Sequence, residues 1–209
     1  MMLANVVRCE SSDDDQQLYN VFVDDDRIIT TVTHSPGSVN SWISEIERIH
    51  RRRLHKLIVG LDIEWRPHSR YHQNPAATLQ LCVGRRCLIF QLIHAPYIPQ
   101  SLVDFLGNSS YTFVGVGIDG DVGKLSRDYG LEVERTFELR DLAADEYDMP
   151  GLQNAGLKTL SSVVLGISVE KPREITMSRW DYRQLSLEQV RYASSDAFLS
   201  FEIGRVLSD

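Results

Sequence analysis

Leu57-Ile58-Val59-Gly60-Leu61-Asp62-Ile63, followed by Glu64-Trp65, decides how this chain is read. The run up to Ile63 is short and nearly continuously apolar, the pattern of a strand covered on both faces. Side chains alternate along a strand, so Asp62 and Glu64 point the same way at its end. Two carboxylates side by side at the rim of a core repel each other and lose hydration, and a cation is the usual remedy. The plainer alternative puts Glu64 in solvent beyond the strand and bonds Asp62 locally. D-x-E by itself does not choose between them.

Upstream, 18–23 (LYNVFV) and 27–33 (RIITTVT) are rich in β-formers around Asp24-Asp25-Asp26 and read as a hairpin. Residues 34–38 read as a loop. Val39, Trp42, Ile43, Ile46 and Ile49 recur at helical spacing, which predicts an amphipathic helix from Val39 to about Arg53. Residues 1–17 are polar and acidic and are expected to form a flexible tail.

Downstream, Arg66–Pro75 is a polar loop. Thr78–Val83 and Cys87–Leu92 are expected strands around Gly84-Arg85-Arg86. Pro99–Leu106 is helical, opened by Pro and followed by Gly107. Tyr111–Ile118 reads as a second buried strand, Asp121–Tyr129 as a helix ended by Gly130, 137–142 as a short strand or turn, and 157–165 as a short helix closed by Gly166. A last helix runs from Ser186 to about Leu207. Ser186 and Gln189 have capping-box spacing, and Leu185 and Val190 sit where a hydrophobic staple would. No repeat or linker divides the chain. The expected fold class is α/β, bordering on α+β, with a mixed sheet flanked by helices. It forms one domain over 18–209, with a hairpin and helix at 18–56 and a core at 57–209.

The 209 residues are 43% hydrophobic and 24% charged, ordinary for a globular chain with a sizeable core. No apolar run approaches the roughly 20 residues that span a bilayer, so no membrane partner is expected. The start is not read as a secretory leader. Cys9, Cys82 and Cys87 are an odd number without metal-ligand spacing. Cys82 and Cys87 can face each other across a hairpin, but reduced thiols in a cytoplasmic or nuclear protein are the favoured reading. The net charge of −7 excludes a broad basic surface. Basic residues still cluster locally, at Arg51–Arg53, at Arg85-Arg86, and at Lys171, Arg173 and Arg179.

Two further segments carry acids. Arg191-Tyr192-Ala193-Ser194-Ser195-Asp196 places Tyr192 and Asp196 on one face of a largely apolar helix. Gly115-Val116-Gly117-Ile118-Asp119-Gly120-Asp121 runs from a buried strand into a helix. It matches G-x-G-x-x-G formally, yet two acids in the turn would repel a pyrophosphate. Taken singly, each segment has a bland reading as a helix cap or a surface pair. Together, Asp62, Glu64, Asp121 and Asp196 would make an oxygen-only acidic pocket if they converge. Such a pocket suits Mg²⁺ or Mn²⁺. Two such ions about 3.5–4 Å apart can clamp the attacking and leaving oxygens of a phosphoryl displacement. Tyr192, one turn before Asp196, can orient the attacking water.

The order D-x-E, G-x-G-x-x-G-D, Y-x-x-x-D resembles the three exonuclease motifs of the DEDDy branch of the DnaQ-like, ribonuclease H-like superfamily. The likeness to Werner-type exonuclease domains extends through 77–83, through 116–121 with Lys124-Leu125, through Ser178-Arg179-Trp180-Asp181 and through 187–193. A group of small plant exoribonucleases associated with RNA-induced silencing complexes is more similar still, through 84–92, 194–198 and 201–205.

The resemblance implies a two-metal 3′–5′ exonuclease using Mg²⁺ or Mn²⁺ on single-stranded RNA or DNA, with small RNA fragments favoured. It also implies release of nucleoside 5′-monophosphates, a hexameric homo-oligomer and an Argonaute partner. Asp62, Glu64, Asp121 and Asp196 would bind metal and Tyr192 would orient water, with Asp119 a second choice for Asp121. Trp65, Thr78 and Leu79 would border the 3′-terminal nucleotide, and Lys171, Arg173 and Arg179 would meet phosphates. For Trp180, core packing is the expectation. Phe198 departs from the Tyr that many relatives carry near Asp196. A catalytically silent scaffold of the same fold, a DNA-directed exonuclease and a nucleotide-binding module are the competing readings.

Overall fold

The computed structural model describes residues 6–9, 15–67 and 73–208. Strand β1 (Val6–Cys9) is followed by β2 (Gln16–Val23), β3 (Asp26–Thr33), helix α1 (Pro36–His50), β4 (Leu57–Glu64), β5 (Thr78–Val83), β6 (Arg86–Phe90), α2 (Gln100–Leu106) and β7 (Tyr111–Gly115). Then come α3 (Ile118–Tyr129), β8 (Thr136–Glu138), α4 (Leu139–Glu146), α5 (Leu157–Leu160), α6 (Arg173–Thr176) and α7 (Leu187–Leu207). Among the described residues no helix is long and apolar enough to cross a membrane.

All strands join one eight-stranded mixed sheet in the order β1-β2-β3-β6-β5-β4-β7-β8. The expected hairpin and core are therefore one sheet, joined where β3 runs parallel to β6. β4 lies between antiparallel β5 and parallel β7, which explains its unbroken apolar run.

Helix α7 packs across one face of the sheet. Cross-strand partners share a face, so Gly60 with Cys82, Asp62 with Gln80 and Glu64 with Thr78 mark that side. Small residues let the helix approach. A Cβ on Gly60 would collide with the Ala197 carbonyl oxygen and lie 2.7 Å from the Phe201 nitrogen; one on Gly204 would lie 2.7 Å from Val114 Cγ2. Ser194 anchors the helix, accepting from the Thr30 hydroxyl at 3.0 Å. The opposite face carries Leu61, Ile63, Leu79 and Leu81, all buried. Gly60→Ala should lower stability by about 3 kcal/mol, since overpacking a tight contact costs about 1–3 kcal/mol or more. At about 2–4 °C per kcal/mol that is a fall of about 6–12 °C in thermal melting. An unchanged melting temperature would show that the helix does not sit this close.

Several boundaries differ from expectation. The 1–17 stretch is not wholly a tail: Val6–Cys9 pairs antiparallel with β2 as the sheet's outer strand, and β2 begins at Gln16. The rest of that expected tail, residues 1–5 and 10–14, lies outside the described residues. α1 begins at Pro36, because proline's fixed φ and missing N–H suit a first helical position. β7 stops at Gly115, and Gly117, at φ 77°, turns the chain so that α3 starts at Ile118. Of the short strand or turn expected at 137–142, the strand is present only to Glu138 as β8, and helix α4 takes the rest; the Glu138 carboxylate caps it by accepting from the Arg140 N–H. The α7 capping box forms as its spacing predicts. Cys82 and Cys87 stand opposite each other on β5 and β6, buried and unbridged.

Candidate active site

β4 ends under α7, and that crossing builds the site. Asp62 and Glu64 leave β4 on the helix side, and Asp196 comes down from the middle of α7. One carboxylate oxygen from each lies within 4.8 Å of the others. Glu64 is 8% exposed and Asp196 5%.

This crowding suppresses ionisation. Burial, reinforced by Asp196, pushes the Asp62 carboxyl up to about 7, although Lys171 and the Ile63 N–H oppose the shift. Burial and the Asp62 charge raise Glu64 well above the usual carboxylate range. Burial also raises Asp196, against the pull of Lys171 and a hydrogen bond from Tyr192.

Asp121 stands outside the trio, in the first turn of α3. It is close enough to Asp62 for their charges to interact: burial, then Asp62, then Glu138 push it up to about 9. The turn before it is held by Glu138, whose carboxylate accepts from the Gly117 N–H at 2.7 Å and from the Arg140 guanidinium at 3.0 Å. Asp119, the second choice at this position, is exposed on the same turn.

Tyr192 lines the other side. Thr176 donates to its hydroxyl at 3.2 Å, and its ring lies against the fully buried Trp180, with centroids 6.0 Å apart. The Trp180 indole N–H in turn donates to the Thr176 carbonyl at 3.3 Å. Trp180 is thus a core residue, as expected, and also backs Tyr192. Burial and the neighbouring Asp196 raise the Tyr192 phenol, so it stays protonated. Lys171 places its ammonium 2.6 Å from Asp196 Oδ2 and over the Tyr192 ring at 5.2 Å.

The expected nucleotide-border residues divide. Trp65 follows Glu64 in the chain and is part-buried, with the Lys124 ammonium 5.3 Å from its ring centroid. Thr78 and Leu79 are fully buried because β5 is an inner strand, so neither offers surface to a ligand here. Thr78 instead accepts from the Gln80 side-chain amide at 2.6 Å. Arg173 is exposed on α6. Arg179 is exposed, and Asp181 engages its guanidinium at 2.8 and 3.0 Å, so a phosphate must compete with that pair. Thr176, Trp180 and Glu138 were not anticipated as supports. The apolar and polar spacing around them carries no mark of the role, which arises from contacts between distant elements.

The donor set suits a hard divalent cation. It contains oxygen only, is negatively charged, and is too buried for every carboxylate to ionise without a counter-charge. Gln80 adds a second sign. It lies opposite Asp62 on the helix side of the sheet, and its buried Oε1 makes no hydrogen bond. Asp62, Glu64 and Asp196 would hold one ion, with Asp121 beside Asp62 available to a second.

A family model for the 3′–5′ exonuclease matches residues 38–209. The chain is 38% identical over 154 residues to a 3′–5′ exonuclease of Arabidopsis thaliana, covering 72% of this chain and 52% of that protein. It is 33% identical over 154 residues to the bifunctional 3′–5′ exonuclease/ATP-dependent helicase WRN of Mus musculus, covering 73% of this chain and 11% of that protein. The chain therefore spans about half the length of the first relative and far less of the second. Among solved structures, the EXD2 exonuclease domain soaked in Mn aligns at a TM-score of 0.51 with 26% identity, covering 86% of this chain and 89% of that one.

Proposed function

The chain belongs to the 3′–5′ exonuclease family, and from that premise we propose that it removes nucleotides from the 3′ end of single-stranded nucleic acid, preferring RNA, with two divalent cations. The observation that carries this is the convergence of Asp62, Glu64 and Asp196 within 4.8 Å, with Asp121 in electrostatic contact. A related domain, that of EXD2, has been soaked in Mn and in Mg.

Divalent ions held by these carboxylates would neutralise the developing phosphate charge and supply a deprotonated water. The protein's own groups do the rest. Asp62, shared between the trio and Asp121, fixes the spacing of the acidic ligands. Tyr192, held at its hydroxyl by Thr176 and at its ring by Trp180, orients the attacking water by hydrogen bonding rather than by taking its proton, because its phenol is raised above the ordinary range. Trp65, the residue after Glu64, is the ring assigned to the terminal sugar or base by the sequence resemblance. Lys171, Arg173 and Arg179 supply positive charge along the approach. In-line attack by water at phosphorus breaks the bond to the 3′ oxygen of the preceding nucleotide and releases a nucleoside 5′-monophosphate.

The sequence resemblance supports the finer parts of the reading, RNA as substrate, a hexameric assembly and an Argonaute partner, and the unbridged cysteines are consistent with a cytoplasmic or nuclear place of action. The test of the core reading is a time course on 5′-labelled single-stranded RNA and matched DNA, with Mg²⁺ and with EDTA. A ladder shortening from the 3′ end, lost in EDTA and faster on RNA, is expected. No product from either strand would leave a silent scaffold of the same fold. Tyr192→Phe should lower kcat about 10²-fold with KM changed only a few-fold, the lower part of the range for a positioned proton-handling group. An unchanged kcat would remove Tyr192 from the mechanism.

A further inference from the structure

Lys171 is placed where an ion would have to go. Its ammonium lies 2.6 Å from Asp196 Oδ2, and that carboxylate is 7% exposed. The contact joins distant parts of the chain: Asp196 belongs to α7, while Lys171 sits on the irregular segment between Gly166 and α6. Gly166, at φ 71°, closes the turn before that segment, and Pro172 precedes α6. The segment also walls a cavity of about 370 Å³, whose opposite wall includes Tyr192 and Asp196 of α7 and the β2–β3 turn at Val23 and Asp24. Lys171 is therefore carried by an irregular segment that borders open space, rather than by the packed sheet.

We propose that Lys171 is a tethered counter-ion, which holds the Asp196 carboxylate in the metal-free protein and is displaced from it when a divalent cation binds. The inference rests on the metal-site reading above. Its physical basis is exclusion: an ammonium at hydrogen-bond distance and a divalent ion both need the Asp196 oxygens, and the two cations repel at that range. The lysine keeps the acids together without metal, because a buried carboxylate with no partner is costly. The same contact weakens metal binding, because the ion must first break it. A purely structural ion pair would behave differently. Its loss would weaken the fold equally with and without metal, and would not tighten metal binding.

The experiment compares wild type, Lys171→Met and Lys171→Gln in the full chain. Mn²⁺ affinity is read from the electron paramagnetic resonance of the free ion, and thermal melting is followed in EDTA and in saturating Mn²⁺. Both variants should bind Mn²⁺ about tenfold more tightly than wild type, equivalent to ~1.4 kcal/mol. Both should melt lower than wild type in EDTA and recover most of the difference in Mn²⁺. A variant unfolded in EDTA that folds on adding Mn²⁺ would support the same conclusion. Equal or weaker Mn²⁺ affinity in both variants, or an equal drop in melting temperature in both conditions, would overturn it while leaving the metal site standing. Absence of Mn²⁺ binding by all three proteins would instead sink the metal-site reading, and this inference with it.

Discussion

Asp62→Asn is expected to abolish cleavage and, in EDTA at pH 8, to raise the melting temperature. The two effects have one cause. Asp62 belongs to the trio and also interacts with Asp121, so its charge would serve every cation the site would hold. Losing a ligand that supports several kcal/mol of transition-state stabilisation lowers the rate by roughly 10³-fold or more, at 1.36 kcal/mol per decade. The same charge is unwelcome without metal, because burial and Asp196 push the carboxyl up to about 7. At pH 8 the folded protein must carry a carboxylate that the unfolded chain ionises freely near 4. An amide of the same shape removes that repulsion. The gain should be about 2 kcal/mol, below the ~4 kcal/mol that a three-unit shift would give, because the acids are coupled and removing one relieves its neighbours only in part. Single-turnover cleavage and melting in EDTA read the two effects separately. Full activity in the variant would remove Asp62 from the site, and a large fall in stability would make it a structural carboxylate.

Much of this was legible in the chain, and the limits are physical. β4 was legible because a strand buried on both faces leaves an unbroken apolar run, and its alternation put Asp62 and Glu64 on one side. α7 was legible through Ser186 and Gln189, whose capping box is a local bond between near neighbours. Position relative to the sheet was less legible. Thr78 and Leu79 were expected beside the substrate, but β5 is an inner strand and buries both. The start of α3 was displaced because Gly117 turns left-handed, a property of backbone angle that Gly allows but does not announce. The supports were illegible for a different reason. Thr176 and Trp180 reach Tyr192 from 16 and 12 residues away, through contacts that only the fold creates. Lys171 was visible as a basic residue near the motifs, and read as a phosphate contact. Its bond to Asp196 depends on the path of the 166–172 segment, which carries no periodic pattern.

Metal-free protein should lose stability as pH rises from 6.5 to 9, and saturating Mg²⁺ should remove most of that loss. The sign follows from the raised acids. Asp62 is pushed up to about 7 and Asp121 to about 9, while both ionise near 4 in the unfolded chain. Between those values the folded state binds more protons than the unfolded one, so the free energy of unfolding falls as pH rises. The penalty is complete once pH has passed the folded values. Other shifted groups act elsewhere. His34 and His50 are lowered, chiefly by burial, so their effect appears as pH falls below about 6.5. Glu138 is held low by Arg140 against burial, and Asp181 by Arg179, so they act only in acid, below the usual carboxylate range. Lys171 is raised by Asp196 against burial and loses its proton only in strong alkali. Cys82 is raised chiefly by burial while an unfolded thiol ionises at about 8.5, so it adds a smaller loss at the top of the window; from 6.5 to about 8 the slope belongs to the acidic site. One proton over 2.5 units corresponds to about 3 kcal/mol, or a melting shift of about 6–12 °C in a chain of this size. Bound Mg²⁺ makes the carboxylates charged at every pH in the window, which removes the proton difference and flattens the curve. The protons displaced by the metal should also be measurable, as a binding enthalpy that depends on the ionisation heat of the buffer. A flat profile in EDTA would mean that the four acids do not share one crowded site. A sloping profile that Mg²⁺ leaves unchanged would mean that they share it without binding the ion.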